Sequence, residues 1–188
     1  LGYSPIETGF AYLAVAGTAV IWANVAAVAV NRVGVKPALI FGMSLLLIGL
    51  LYFTQVSVGG SYWTDLFPGF LIIGLAIPFA FVPISIAAFA GTRPDEAGLA
   101  SGLMNTSQQI GGAVGIAILS TIAVSTTGDA VPGAGPPPPE ALTDGLVNAF
   151  WAGAAIALVG VLVSIFLVRG RDLRPQEAPV AEPALEAA

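Results

Sequence analysis

Five long stretches without a charged residue divide this chain of 188 residues. They are 18 to 29 residues long and cover residues 9–30, 37–54, 66–90, 97–125 and 146–168. A helix needs about 20 apolar residues to cross the hydrocarbon core of a bilayer. Charged residues make up 9% of the chain, where about 25% is usual in soluble proteins. The pattern therefore predicts an all-α, polytopic membrane protein with five transmembrane helices.

The basic residues give these predicted spans a direction across the membrane. Five spans place the junctions alternately on two sides, and all six Lys and Arg residues fall on the same side: Arg32, Lys36, Arg93, Arg169, Arg171 and Arg174. Cytoplasmic loops carry an excess of Lys and Arg. We therefore expect a multi-pass protein of the cell membrane, with the amino end of this chain external and its carboxyl end cytoplasmic.

The segments outside the spans agree with this placement. Tyr and Trp rings favour the interface between lipid and water, and five lie near the predicted external ends: Tyr12, Tyr52, Tyr62, Trp63 and Trp151. On the same side, residues 126–145 include four consecutive prolines and predict a solvated linker in polyproline II conformation. Residues 172–188 alternate Pro, Ala and Glu, and we expect them to form a disordered cytoplasmic tail.

The composition excludes several classes of function. The chain has no His and no Cys, which removes haem ligation by His, thiolate metal sites, disulfides and a Ser-His-Asp triad. No charged residue lies inside a predicted span, so the spans lack the acid and base of an intramembrane enzyme. A net charge of −5 disfavours nucleic acid as a partner. We therefore expect no enzyme, no metal and no cofactor.

The fourth uncharged stretch has the most informative pattern. On a helix, 100° steps per residue bring three glycines and two amides within about 40° of one line: Gly98, Gly102, Asn105, Gln109 and Gly112. Gln108 widens this polar stripe, and large aliphatic residues fill the opposite side. The helix therefore combines one small and polar side with one side suited to lipid.

Two interpretations of the polar stripe stay open. The first is close helix packing, since glycines admit a neighbour and amides can hydrogen-bond across the contact; the glycines concerned are Gly98, Gly102, Gly111, Gly112 and Gly115. The second is an aqueous path for a substrate, because amides without partners are costly in hydrocarbon. In that case Asn105, Gln108 or Gln109 faces the path.

Two other spans carry isolated features. Pro78 and Pro83 each remove a backbone hydrogen bond from the third predicted helix and favour bending. Such a bend can be static or can serve gating in a transporter. Asn24 is a lone polar residue in the first span. It makes either a packing hydrogen bond or a contact to a substrate.

Two segments carry a resemblance to a known family. Residues 1–9 read LGYSPIETG, and residues 98–115 read GLASGLMNTSQQIGGAVG. They resemble the carboxyl-terminal part of a major facilitator superfamily transporter, in its 14-helix multidrug-efflux branch. The resemblance implies that residues 1–171 form part of the carboxyl-terminal half of that fold, with the five spans as helices ten to fourteen. We therefore expect a piece of a longer protein whose amino-terminal helices lie outside this chain.

The junction between the first and second spans is similar to a cytoplasmic loop motif of the same family. Arg32, Gly34 and Lys36 match the second-half copy of that motif. Asn31 stands where the motif has Asp, and Ala27 and Ala29 replace its Gly and Leu. With these departures, the matching residues are expected to orient the loop.

The resemblance also implies a function. It implies part of a secondary active transporter that exports drug-like or toxic small molecules across the cytoplasmic membrane by proton antiport with alternating access. Its partners would be the lipid bilayer, the small-molecule substrate and protons, with the coupling group outside this chain because no span contains a titratable residue. Two alternatives stay open: a major facilitator exporter of a metabolite or an antibiotic, and a non-transporting membrane scaffold.

Overall fold

Five long helices make up most of the computed structural model, which describes residues 5–129 and 137–168. They are α1 Pro5–Val33, α2 Val35–Phe53, α3 Phe67–Phe89, α4 Ala97–Asp129 and α5 Pro139–Phe166. All five are long and apolar enough to cross a membrane, since a helix rises about 1.5 Å per residue and the hydrocarbon core is about 30 Å thick. The predicted all-α fold with five membrane helices is confirmed.

The predicted linker at residues 126–145 is wrong in its bounds. α4 continues to Asp129, and within this added turn the hydroxyls of Thr126 and Thr127 donate hydrogen bonds to backbone carbonyls four residues earlier in the same helix. α5 begins at Pro139, in the first turn of the helix, where the missing N–H of proline costs nothing. Pro138 has the polyproline II conformation that the sequence predicts, with φ −64° and ψ 151°. The predicted tail at residues 172–188 lies outside the described residues.

Short turns connect the other helices. Gly34 alone separates α1 from α2, and its φ of 90° is a conformation that glycine adopts readily. Before α3 lies a π-helical turn, Tyr62–Leu66, in which the N–H of Phe67 donates to the carbonyl of Tyr62, five residues earlier. A 3-10 turn, Pro94–Glu96, leads directly into α4.

The order in which the helices pack differs from their order in the chain. α3 packs between α1 and α2, α5 packs against α2, and α4 packs against α5. The first part of α4 also reaches the last part of α3. The packing order is therefore α1, α3, α2, α5 and α4, with α1 and α4 at the two edges. No described residue of α4 is buried.

Successive helices run in opposite directions and give the bundle two different ends. At one end, the Tyr62 hydroxyl donates to the carbonyl of Ala11 over 3.0 Å. We call it the tyrosine end, because it carries Tyr12, Tyr52, Tyr62 and Trp63. At the other end, Lys36 donates to the last turn of α5. We call it the basic end, because it carries Arg32, Lys36 and Arg93. The first and last described residues therefore lie at opposite ends.

Three glycines set the closest approaches between helices. Gly42 of α2 lies against the backbone of Phe79 in α3, Gly74 of α3 lies against the backbone of α1, and Gly145 of α5 lies against the backbone of α4. At each position an added Cβ would fall less than 3 Å from a backbone atom of the neighbouring helix. Small residues let membrane helices pack backbone to backbone, which increases van der Waals contact. These contacts join α1, α3 and α2 to one another and α4 to α5.

Candidate functional site: the polar stripe of the fourth helix

α4 has three sides with different surroundings. The packed side contacts α3 near the start of the helix through Ala100 and Met104, and α5 farther along through Leu119 and Ala123. A second side carries exposed aliphatic residues such as Leu99, which is 76% exposed. The polar stripe lies between these two sides, roughly 100° around the helix axis from the packed side.

The polar stripe is uncovered in the described part of the chain. All five of its residues are exposed: Gly98, Gly102, Asn105, Gln109 and Gly112. A Cβ added at Gly98, Gly102, Gly111, Gly112 or Gly115 would meet nothing within 4 Å. Packing of another helix against these glycines is therefore not seen among the described residues, and it stays a prediction.

The threonine and amide side chains of α4 differ in their hydrogen bonding. The threonine hydroxyls bond to the helix itself: the Oγ1 atoms of Thr106 and Thr121 donate to the carbonyls four residues earlier, at 2.9 and 2.7 Å. Asn105, Gln108 and Gln109 make no hydrogen bond to any described residue, and all three are exposed. An amide carries two donor hydrogens and one acceptor oxygen. These three side chains therefore need partners outside the described structure.

Gln108 is separated from the other two amides. It lies in a cleft of about 520 Å³ between α3 and α4, together with Ser107. Asn105 and Gln109 lie on the polar stripe instead. Asn24 is exposed on α1, the helix at the other edge of the packing order, and it does not line this cleft. The structure thus does not bring the four predicted pathway amides into one site.

The residues that do pack helices together were missed by the sequence analysis. α5 buries small residues at a spacing of four: Ala141, Gly145, Ala149, Gly153 and Ala157. This small-xxx-small spacing is a known signature of close packing between membrane helices. A search for that spacing would have found the face. Gly42 and Gly74 have no comparable signal, because their role depends on which helix lies opposite.

Pro78 and Pro83 are buried inside α3, and the helix continues through both. Pro83 has no N–H to donate to the carbonyl of Phe79, four residues earlier. This carbonyl lies 2.6 Å from the position that a Cβ at Gly42 would occupy. The proline and the glycine therefore act on the same stretch of the contact between α2 and α3. Whether they serve gating stays a prediction.

Comparison with known protein families decides the identity of the fold. The model of the Major Facilitator Superfamily matches residues 1–187. The chain belongs to this superfamily. It is therefore a multi-pass membrane protein of a transporter family, as the resemblance of residues 1–9 and 98–115 implies.

Several relatives within the superfamily are resistance proteins. The chain is 33% identical over 166 residues to the puromycin resistance protein pur8 of Streptomyces alboniger, covering 87% of this chain and 33% of that protein. It is 29% identical over 132 residues to the tetracenomycin C resistance and export protein of Streptomyces glaucescens, covering 70% and 24%. It is 26% identical over 121 residues to the multidrug resistance protein Stp of Mycobacterium tuberculosis, covering 64% and 22%. The chain thus spans between a fifth and a third of the length of these curated relatives.

The residues predicted to match the loop motif lie at the basic end. The Nζ atom of Lys36 donates a hydrogen bond to the carbonyl of Ile165, over 2.6 Å. Carbonyls in the last turn of a helix have no partner within the helix, and a cation there is favoured by the helix dipole. Gly34 provides the tight turn into α2, and Arg32 is exposed. Lys36 thus links the start of α2 to the end of α5.

Proposed function

We propose that the protein containing this chain is a secondary active transporter that exports drug-like or toxic small molecules. The observation that carries the proposal is the set of amides on α4. Asn105, Gln108 and Gln109 are exposed on an apolar helix and have no partner among the described residues. Amides in hydrocarbon are costly without a partner. A water-filled path along the polar stripe would supply water and substrate as partners for Asn105 and Gln109.

The relatives support export as the direction of transport. The names of the matched proteins include resistance to puromycin, resistance to and export of tetracenomycin C, and multidrug resistance. A transporter confers resistance when it removes the toxic compound from the cell. The chain would act as a carrier and not as an enzyme. It would contribute helices ten to fourteen, residues 1–171, of the carboxyl-terminal half of the transporter.

Proton antiport with alternating access is part of the proposal. Charged residues are confined to the ends of the described helices and their junctions. Proton transfer within the membrane needs a titratable group there. The coupling group would therefore lie on helices outside this chain, and the helices here would form part of the path and of the moving unit.

The proposed location is the cell membrane, with the basic end facing the cytoplasm. The described basic residues Arg32, Lys36 and Arg93 lie at one end of the bundle. The excess of Lys and Arg in cytoplasmic loops supports this orientation. It gives the amino end of this chain an external position and the carboxyl end a cytoplasmic one.

Replacement of Gln109 by Leu tests the role of the polar stripe. In cells that express the whole protein, we expect Gln109→Leu to reduce export of a toxic compound without reducing the amount of protein in the membrane. Thr121→Val is the matched control, since its hydroxyl bonds to its own helix. Unchanged export by Gln109→Leu at normal abundance would contradict the proposed path.

A non-transporting scaffold makes the opposite prediction for water access. Single cysteines at Asn105 and Gln109 should react with a water-soluble thiol reagent if the stripe lines a path. In a scaffold both positions would be sealed by packing, and neither would react. Export of an antibiotic is the second candidate function, favoured by the names of the relatives from Streptomyces. Measured efflux of a panel of antibiotics distinguishes it from export of unrelated toxic compounds.

A further inference from the structure

The cleft between α3 and α4 has a composition suited to one class of ligand. Its α3 wall is formed by Ile84 and Ala88. Its α4 wall combines aliphatic surface with Met104, Ser107 and Gln108. The volume of about 520 Å³ falls in the range of small-molecule pockets, which are mainly apolar with a few polar groups. Met104 adds adaptability, because its unbranched thioether can change shape with the ligand.

The polar groups of the cleft are available to a ligand. The side chains of Ser107 and Gln108 are exposed and make no hydrogen bond to any described residue. The neighbouring hydroxyl of Thr106 bonds to its own helix instead. The cleft therefore offers one hydroxyl and one amide, both able to donate and to accept.

The position of the cleft makes charge unfavourable there. Gln108 is eleven residues after Ala97, which places it about 17 Å along α4 and near the middle of a hydrocarbon core about 30 Å thick. All seven lining side chains are uncharged. Moving a charge to this depth is costly unless an opposite charge or several hydrogen bonds compensate for the lost hydration.

We infer that this cleft binds an uncharged, mainly apolar part of the transported compound, with Ser107 and Gln108 as its hydrogen-bonding partners. The inference rests on the proposed function and adds a substrate preference to it. Among the described residues, the cleft offers no carboxylate that could pair with a compound of fixed positive charge. The cleft therefore favours uncharged compounds over permanent cations.

Single cysteines test the inference directly, because this chain contains none of its own. Ser107→Cys places a thiol in the cleft. Thr106→Cys, at the neighbouring position, places one outside the cleft on the same helix. Both are made in the whole protein with any other Cys replaced, and the rate of maleimide labelling is measured in membranes. One sample contains Nile red, an uncharged dye, and another contains ethidium, a permanent cation.

We expect Nile red to slow labelling of Ser107→Cys and to leave Thr106→Cys unchanged. At ten times the half-protecting dye concentration, the slowing should be about tenfold, following simple competitive occupancy. Ethidium should protect neither position. Equal slowing at both positions, no slowing at Ser107→Cys, or equal protection by ethidium would each overturn the inference.

A second variant measures the contribution of the amide. Gln108→Leu, made together with Ser107→Cys, should raise the half-protecting concentration of Nile red about threefold to tenfold, the range expected for one lost hydrogen bond. Thr106→Val in the same background should leave that concentration unchanged. Export is measured in the same cells. If the protein exports the compounds but Nile red does not protect Ser107→Cys, only the binding role of the cleft is contradicted. If the unmodified protein exports none of the toxic compounds tested, the proposed function itself is contradicted.

Discussion

At the scale of the residue, glycines in this protein have opposite roles depending on what lies beside them. Gly42 lies against the backbone of α3, whereas Gly17 of α1 has open space where a Cβ would be. Backbone atoms cannot move aside as the end of a flexible side chain can. A methyl group should therefore be harmful at one position and harmless at the other.

Gly42→Ala should lower the free energy of unfolding by about 1–3 kcal/mol, the usual cost of overpacking. Its Cβ would lie 2.6 Å or less from the carbonyl oxygen and carbon of Phe79. Thermal unfolding of the purified protein in detergent measures the change. Gly17→Ala is the control, and it should stabilise by up to about 1 kcal/mol through reduced backbone entropy of the unfolded chain. Equal stability of the two variants would contradict the close contact between α2 and α3.

Lys36→Met should loosen the last turn of α5. The variant removes the hydrogen bond to the Ile165 carbonyl and the favourable interaction of a cation with the helix dipole, worth about 0.3–1 kcal/mol. Hydrogen exchange of the backbone amides near Ile165 should become faster. Lys36→Arg keeps a cationic donor and should restore slow exchange. Fast exchange in both variants would show that the positive charge does not cap this helix.

Sequence and structure agree best for residues whose role is set within one helix. The polar stripe follows from the helical repeat alone, so Asn105 and Gln109 share one side of α4, away from Leu99. The position of Gln108 around α4 also follows from the helical repeat. The cleft that contains Gln108 cannot be predicted in this way, because its other wall includes Ile84 of α3. Gly42 was missed for the same reason: its importance depends on a neighbour that the sequence does not name.

At the scale of the element, α5 depends on its face of small residues. Gly145 lies against the carbonyl of Ala123 in α4. Gly145→Val should separate the two helices at the tyrosine end and destabilise the protein by about 1–3 kcal/mol. Spin labels on Val124 and Leu142, both exposed, measure the separation. The distance distribution should become longer and broader.

Ala155→Val is the matched control for that experiment, since Ala155 is exposed on the same helix. It should leave the distance distribution unchanged. An unchanged distribution in Gly145→Val as well would mean that the small-residue face does not set the spacing between α4 and α5.

Helix existence was predictable, and helix bounds were less so. Uncharged length predicted all five helices, because the bilayer fixes the length of apolar helix that a span needs. The charge pattern does not predict where a helix ends in the interface between lipid and water. The fourth span was predicted to end at residue 125, whereas α4 continues to Asp129 and its last threonines bond to the helix itself. The π-helical turn before α3 has no signal in the composition of its five residues.

At the scale of the whole molecule, the two ends of the bundle should face different compartments. Val58 lies in the junction at the tyrosine end, and Ala90 lies at the end of α3 at the basic end; both are exposed. In intact cells, a membrane-impermeant maleimide should label Val58→Cys and not Ala90→Cys. Inverted vesicles should reverse the result. Labelling of both positions from one side would contradict an odd number of crossings between them.

The sequence pattern does not predict which helices pack against each other. The pattern of spans fixes how many times the chain crosses, but it does not state which helices become neighbours. α1 packs on α3 rather than mainly on α2, although only Gly34 separates α1 from α2. The choice depends on the fit of surfaces such as Gly74 against α1. Such fit is decided by pairs of residues far apart in the chain.

The π-helical turn Tyr62–Leu66 has a consequence for how this chain tolerates changes in length. A π-helical turn holds one residue more than an α-helical turn. Deletion of a single residue in this turn would convert it to ordinary α-helix, while α3 would keep its orientation about its own axis relative to the neighbouring helices. Within α3 itself, deletion of a residue before Pro83 would rotate all later side chains by about 100° and move Pro83 away from Gly42. The turn is thus a place where this chain should lose one residue without repacking the bundle.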